Sequence, residues 1–69
     1  MIEVFKTNIK DKFQSTEVQI QILKLYPKLI VGFDLEDIDK VLRVEGIFFN
    51  NAKIINALYF KGIQCEVMI

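Results

Sequence analysis

The 69-residue chain contains no histidine, no tryptophan and a single cysteine, Cys65. Without histidine it lacks the most common general base near neutral pH and the most common metal ligand. One cysteine excludes an internal disulfide and a site built from several thiolates. The chain also has no nucleophile paired with a base and no glycine-rich phosphate loop. We therefore expect a protein that is not an enzyme, with no catalytic residues and no cofactor.

The chain also lacks a net charge and long apolar runs. Nine basic residues balance nine acidic ones, which removes the net positive charge on which non-specific nucleic-acid binding depends. No stretch approaches the roughly 18 apolar residues of a membrane span. Residues 1–6 alternate at once, without the basic segment and apolar block of a signal peptide. We expect residues 1–69 to form a single cytoplasmic domain with no membrane contact.

Hydrophobic periodicity is the main structural signal. Four segments alternate with a period of two residues, as half-buried strands do, and two repeat with the period of a helix. The stretch 18–22 also alternates like a strand, but the long run up to Pro27 favours a helix there. The predicted order is βαββαβ, with strands at 2–7, 29–35, 41–45 and 63–67 and helices starting between Asp11 and Thr16 and at Asn50 or Asn51.

This order predicts an α+β ferredoxin-like fold, a two-layer sandwich of a four-stranded antiparallel sheet with both helices on one face. Right-handed crossovers place the first and third strands side by side at the centre of the sheet. The two-residue period assigns one side of each strand to the helices. The residues expected to face the core are Ile2, Val4, Val18, Ile22, Leu25, Tyr26, Val31, Phe33, Leu35, Leu42, Val44, Ile54, Ile55, Leu58, Ile63, Cys65 and Val67.

The other face of the sheet is expected to be open. It contains more apolar residues than a solvent-facing surface needs, which favours an unknown protein partner or self-association. Residues 4–9 are similar to the first-strand signature of RNA-recognition motifs, in which Phe5 would stack on a base. The third strand has Arg43 and Glu45 where those proteins carry aromatics, so a nucleic-acid partner is not expected. The candidate interaction residues are Phe5, Thr7, Ile30, Arg43 and Met68.

Several short patterns support a family resemblance. They are the opening Ile2-x-Val4, the Pro27 after the first helix, the strand Val31-x-Phe33-x-Leu35-Glu36 and the ending Gly62-Ile63-x-Cys65-x-Val67. In these features the chain resembles the heavy-metal-associated domains, the ferredoxin-like modules of copper chaperones and metal-pumping ATPases. The matching residues mostly specify core and turns, so the resemblance implies the fold more strongly than a function.

The family's metal-binding loop is not matched. In that family a Met-x-Cys-x-x-Cys loop follows the first strand, and its two thiolates hold Cu(I) or zinc. Counted from the strand, the Met position falls on Thr7 and the Cys positions fall on Ile9 and Lys12. Counted back from Pro27, the second Cys position lies near Ser15. We therefore predict no metal ligands, and we treat the loop as a candidate functional segment through Asn8, Lys10, Asp11 and Lys12.

Two other features have ordinary structural interpretations. Cys65 falls at an inward position of the last strand, where a cysteine packs as a small hydrophobe; an intermolecular metal or disulfide role would require an exposed thiol. The carboxylates around the hairpin are expected to form a solvated turn, because their spacing does not fit an EF-hand. They are Asp34, Glu36, Asp37 and Asp39.

Three functions remain open. The first is a small stand-alone binding or interaction module that resembles heavy-metal-associated domains but lacks their ligands. The second is metal-ion binding or transport through non-standard ligands such as Asn8, Asp11 and Cys65. The third and least favoured is single-stranded RNA binding through Phe5.

Overall fold

The computed structural model describes residues 1–68. It contains four strands and two helices in the predicted order, with boundaries close to those expected from the periodicity. The elements are β1 (Ile2–Thr7), α1 (Lys12–Leu25), β2 (Ile30–Asp34), β3 (Val41–Glu45), α2 (Asn51–Tyr59) and β4 (Cys65–Val67).

The four strands form one sheet in the order β2-β3-β1-β4, and every neighbouring pair is antiparallel. β1 and β3 occupy the centre, as the crossover argument predicts. A single core cluster joins Val18 and Ile22 of α1, Ile54 and Leu58 of α2, and the buried side of the sheet. The α+β ferredoxin-like fold, with both helices covering one face, is confirmed.

Both helices begin at side-chain caps. Asp11 has extended backbone angles, and its Oδ1 atom accepts from the backbone N–H of Gln14 at 2.8 Å. Asn50 caps α2 in the same way, with Lys53 as the donor at 3.2 Å. Such caps satisfy N–H groups that have no partner inside the helix. The stretch 18–22 lies inside α1 and is helical, as favoured from the sequence.

The C-terminal end of α2 depends on Gly62. Its φ of 82° lies in the left-handed region, which glycine adopts without the steric penalty of a Cβ atom. The N–H of Ile63 then donates to the carbonyl of Leu58 at 3.0 Å. This turn directs the chain into β4, where Cys65 and Val67 pack against the core as predicted.

The predicted orientation of β1 was wrong. Phe5 is fully buried and lies opposite the equally buried Leu42 of β3, so Phe5 and Thr7 face the helices. Ile2 and Val4 lie on the open side by strand alternation. Both sides of β1 contain apolar residues, and the large Phe5 ring fills the volume between the helices better than a smaller aliphatic side chain.

Glu3 shares the helix-facing side of β1 with Phe5. A carboxylate is tolerated on this side because Glu3 lies near the start of the strand, beside the first turn of α2. There, Asn51 Nδ2 donates to Glu3 Oε2 at 2.9 Å. A carboxylate at this place also faces the positive end of the helix dipole.

The end of α1 differs from the prediction as well. Leu25 was expected in the core, but its side chain is exposed. Tyr26 and Leu29 fill the space behind this end of the sheet instead. The Tyr26 hydroxyl accepts from the backbone N–H of Asn50 at 3.1 Å, which ties the end of α1 to the start of α2. The core stripe of α1 consists of Ser15, Val18 and Ile22.

Candidate functional site

The loop between β1 and α1 is held by its own side chains. Asn8 Oδ1 accepts from the backbone N–H of Gln64 at 2.9 Å, which joins the loop to the start of β4. Asp11 caps α1. The side chains of Lys10 and Lys12 extend into solvent. Of the four predicted loop residues, two therefore have identifiable structural roles.

Ile9 anchors the same loop from the core side. Its side chain is fully buried, and its backbone N–H donates to Thr7 Oγ1 at 3.1 Å. The Thr7 hydroxyl in turn donates to the carbonyl of Lys40 at 2.6 Å, so this threonine links β1 to the β2–β3 connection. Ile9 is therefore an apolar anchor of this loop, and its side chain offers no ligand atom.

The part of the chain that the structure describes holds no group of three or more His, Cys, Asp or Glu side chains that could bind a metal ion. Cys65 is half-buried and packs against the core. Burial, and after it the neighbouring Glu66 carboxylate, raises the pKa of the Cys65 thiol to about 12. Because a metal ligand must be a thiolate, this raised pKa makes the loss of the thiol proton on metal binding less favourable than for an ordinary cysteine.

The acidic hairpin uses its carboxylates to shape the turn. Asp34 Oδ1 accepts from the N–H of Glu36 at 3.3 Å, and Asp37 Oδ1 accepts from the N–H of Asp39 at 2.8 Å. Lys40 has a φ of 48°, and its ammonium group donates to a carbonyl within the same turn. Side chains that bond to nearby backbone in this way are typical of turns.

The open face of the sheet keeps three of its five predicted interaction residues. Ile30, Arg43 and Met68 lie there, whereas Phe5 and Thr7 face the helices for the reasons given above. A base could not stack on Phe5 without opening the core.

Two ion pairs neutralise most of the charge on this face. Lys6 Nζ lies 3.0 Å from Glu66 Oε1, and Arg43 Nη1 lies 3.1 Å from Glu45 Oε1. The hydrogen bond to Glu66 raises the pKa of the Lys6 ammonium. Exposed pairs such as these contribute little to stability. Because the two charges of each pair compensate each other, this face offers little electrostatic attraction to a phosphate backbone.

An extended apolar surface lies at one end of the sheet. Here β1 and β2 begin and β3 and α1 end, and together they line an open groove of about 680 Å³. Six large hydrophobic side chains around this groove are exposed, among them Ile47 at 100% and Phe48 at 71%. We call this set the terminal apolar patch; it consists of Met1, Ile2, Leu25, Ile30, Ile47 and Phe48.

Backbone contacts fix the geometry of the patch. The N–H of Gly46 donates to the carbonyl of Met1 at 2.9 Å, which keeps the start of β1 beside the end of β3. The Leu29 side chain packs so closely on Gly46 that a Cβ atom there would clash with it. Gly46 therefore lets the chain turn close over Leu29, and the turn projects Ile47 and Phe48 away from the core.

The patch is larger than a monomer normally exposes. With about 180 Å² for a fully exposed large apolar side chain, the six residues expose roughly 700 Å², whereas the largest apolar patch of a typical monomer covers about 300–600 Å². Elsewhere the exposed large hydrophobics are single residues, such as Phe13 and Ile20 on α1 and Ile38 in the hairpin, or the adjacent pair Tyr59 and Phe60 at the end of α2, whose ring centroids lie 6.5 Å apart. Size and continuity single out the terminal apolar patch as the candidate interaction surface.

Only part of this surface was predicted from the sequence. Ile30 was a candidate interaction residue, whereas Ile2 and Leu25 were expected in the core. The signal that could have indicated the rest is the run Ile47-Phe48-Phe49 between Gly46 and the helix cap, because a connection needs few apolar residues. Phe49 is buried and belongs to the core, so Ile47 and Phe48 are the two apolar residues of this run that the core does not explain.

Comparison with known proteins gives no match for this chain among family models, curated proteins or solved structures. Among residues 1–68, no helix has the length and apolarity needed to cross a membrane. The candidate site therefore depends on the geometry of the described residues alone.

Proposed function

We propose that this chain is a small protein-interaction module that binds its partner through the terminal apolar patch. The observation that carries the proposal is the continuous apolar surface of roughly 700 Å² on a domain of this size. Burial of apolar surface is the main favourable term in protein association. A patch that stays in water contributes nothing to folding and lowers solubility.

The resemblance to heavy-metal-associated domains is part of this proposal. The chain has the βαββαβ order of those domains. Counted from β1, Ile9 and Lys12 fall where those domains have their two thiolates, and counted back from Pro27 the second position lies near Ser15. We infer that the loop after β1 serves as a structural connection here and that binding uses the opposite end of β1. The burial of Ile9 and the hydrogen bond between Asn8 and Gln64 support this inference.

Site-specific photo-crosslinking tests the proposed surface. Phe48 and Phe60 are a matched pair, because both are exposed phenylalanines and only Phe48 lies on the patch. A benzophenone amino acid at position 48, in cells that produce the protein naturally, is expected to yield a discrete adduct. The same group at position 60 is expected to yield none.

A second substitution makes the crosslinking result specific. Ile47→Asp in the chain labelled at position 48 is expected to abolish the adduct, since it places a charge on the patch beside the labelled residue. Ile47 is fully exposed, so the fold is retained and circular dichroism checks this. Equal adducts at positions 48 and 60, or an adduct that survives Ile47→Asp, would contradict the proposed function.

A further inference from the structure

We infer that the partner on the terminal apolar patch is a second copy of this chain, arranged about a two-fold axis. The inference rests on the proposed function and names the partner for the same surface. Three properties of the patch support it, namely its area, its shape and its charge.

The area fits a dimer of this size. A standard protein interface buries about 800 Å² on each partner, and the patch exposes roughly 700 Å² of apolar surface before its polar rim is included. A domain below about 70–80 residues gains little stability from its own core and commonly depends on oligomerisation or another additional restraint. Burial of the patch against a second copy supplies such a restraint.

The shape of the patch is compatible with a two-fold contact. It combines an open groove with two side chains, Ile47 and Phe48, that project from the groove's rim. In a two-fold interface the same surface meets itself, so each contact occurs twice. The projecting pair of one copy then enters the groove of the other, and the reciprocal contact forms at the same time.

The charges around the groove are compatible with a two-fold contact. Lys28 and Glu45 line the same groove and have opposite charge. A two-fold arrangement that brings Lys28 of each copy beside Glu45 of the other joins opposite charges at both contacts, and it adds a second cation to a carboxylate that already lies 3.1 Å from Arg43 of its own chain. The chain has zero formal net charge, so two copies do not repel each other as a whole. Complementary charges at an interface rim set orientation and specificity more than affinity.

Analytical ultracentrifugation of the purified full chain tests the dimer. We expect a concentration-dependent monomer–dimer equilibrium with a Kd in the micromolar range or below. Phe48→Glu is expected to raise this Kd at least about 100-fold, because the charge enters both halves of the interface. Phe60→Glu, at a phenylalanine that is outside the patch and even more exposed than Phe48, is expected to leave the Kd unchanged. Ile47→Asp serves as a second variant on a side chain that contributes nothing to the core.

A charge exchange tests the two-fold arrangement itself. Glu45→Lys alone and Lys28→Glu alone each place like charges across the axis and are expected to weaken the homodimer. A mixture of the two variants restores opposite charges at both contacts, so the heterodimer is expected to form more tightly than either homodimer. Native mass spectrometry resolves the three species when one chain is isotopically labelled.

The outcomes separate this inference from the proposed function. A protein that stays monomeric at all concentrations, or a dimer that responds to Phe60→Glu and not to Phe48→Glu, would overturn the dimer. If crosslinking at position 48 nevertheless yields an adduct with a different protein, the proposed function stands without the dimer. Weak homodimers whose mixture shows no preference for the heterodimer would refute the two-fold arrangement.

Discussion

Phe5 of β1 lies directly opposite Leu42 of β3, and both side chains are completely buried beneath the helices. This pair fixes the orientation of the two central strands, because residues that alternate with Phe5 must lie on the open face. It therefore also brings Ile2 to the surface, where it contributes to the terminal apolar patch.

Substitution of Phe5 tests this orientation. Phe5→Ala is expected to cost about 3–5 kcal/mol, which approaches the whole stability of a domain with about 0.05–0.15 kcal/mol per residue. Phe5→Leu keeps most of the volume and is expected to leave a folded but weakened protein. The control is Ile2→Ala, which should cost less than about 1 kcal/mol, since Ile2 is half exposed. Urea unfolding measures these differences, and a loss at Ile2 equal to that at Phe5 would contradict the assignment.

The glycines of β2 and of the turn after β3 should respond differently to alanine. Gly46→Ala forces the Leu29 side chain away from its place in the core, and we expect a loss of about 1–3 kcal/mol. A Cβ atom on Gly32 meets nothing within 4 Å, so Gly32→Ala is expected to be neutral or to stabilise by up to about 1 kcal/mol. Thermal unfolding compares the two variants, and the order of their melting temperatures decides the prediction.

The cap of α1 gives a test of the loop after β1. Asp11→Ala removes the acceptor for the N–H of Gln14 and is expected to destabilise the protein by about 1 kcal/mol. Asp11→Asn retains a capping oxygen and should lose only a few tenths of that amount. Chemical unfolding curves measure both. If the two variants lose equal stability, the carboxylate has a role at this position other than capping.

The Cys65 thiol predicts a specific pH dependence. Its pKa is about 12 in the folded protein, against an ordinary value of 9.0. Below pH 9 the thiol is protonated in both states and contributes no difference. Between about pH 9 and 12 the unfolded chain loses this proton while the folded chain keeps it, so stability falls as the pH rises. Cys65→Ala lacks this component, and its stability is expected to fall less than that of the natural chain over the same range.

Reactivity provides a second measurement on the same thiol. The thiolate is the form that reacts with alkylating agents, so at pH 8 we expect the folded protein to react at least about 100-fold more slowly than the urea-unfolded chain. Equal rates would show that Cys65 is an ordinary exposed thiol. That result would also reopen an intermolecular role for it.

Element boundaries were the most predictable part of this protein. β3 spans 41–45 as expected, α2 is capped by Asn50, and Gly62 has the left-handed backbone that its place after a helix requires. Each of these features depends on residues a few positions apart, and short-range sterics and hydrogen bonds decide them. The strand order followed from the element order because the crossovers have a fixed hand.

The candidate interaction surface was predictable only in part, because its residues come from separate stretches of the chain. Met1, Leu25, Ile30 and Phe48 meet where four elements begin or end. Nothing in the local pattern around any one of them indicates the others. The expectation that Leu25 belongs to the core was wrong for the same reason. Tyr26 and Leu29 fill the space that Leu25 was expected to occupy, and the local pattern does not show this.

Local pattern along the chain was thus sufficient for the βαββαβ order and the antiparallel sheet, because periodicity, caps and turn residues act between near neighbours. Three-dimensional packing alone selected the inward side of β1 and assembled the terminal apolar patch. When a strand has apolar residues on both sides, its two-residue period is compatible with either side facing the core. The choice then depends on which side chain best fills a space bounded by residues distant in sequence.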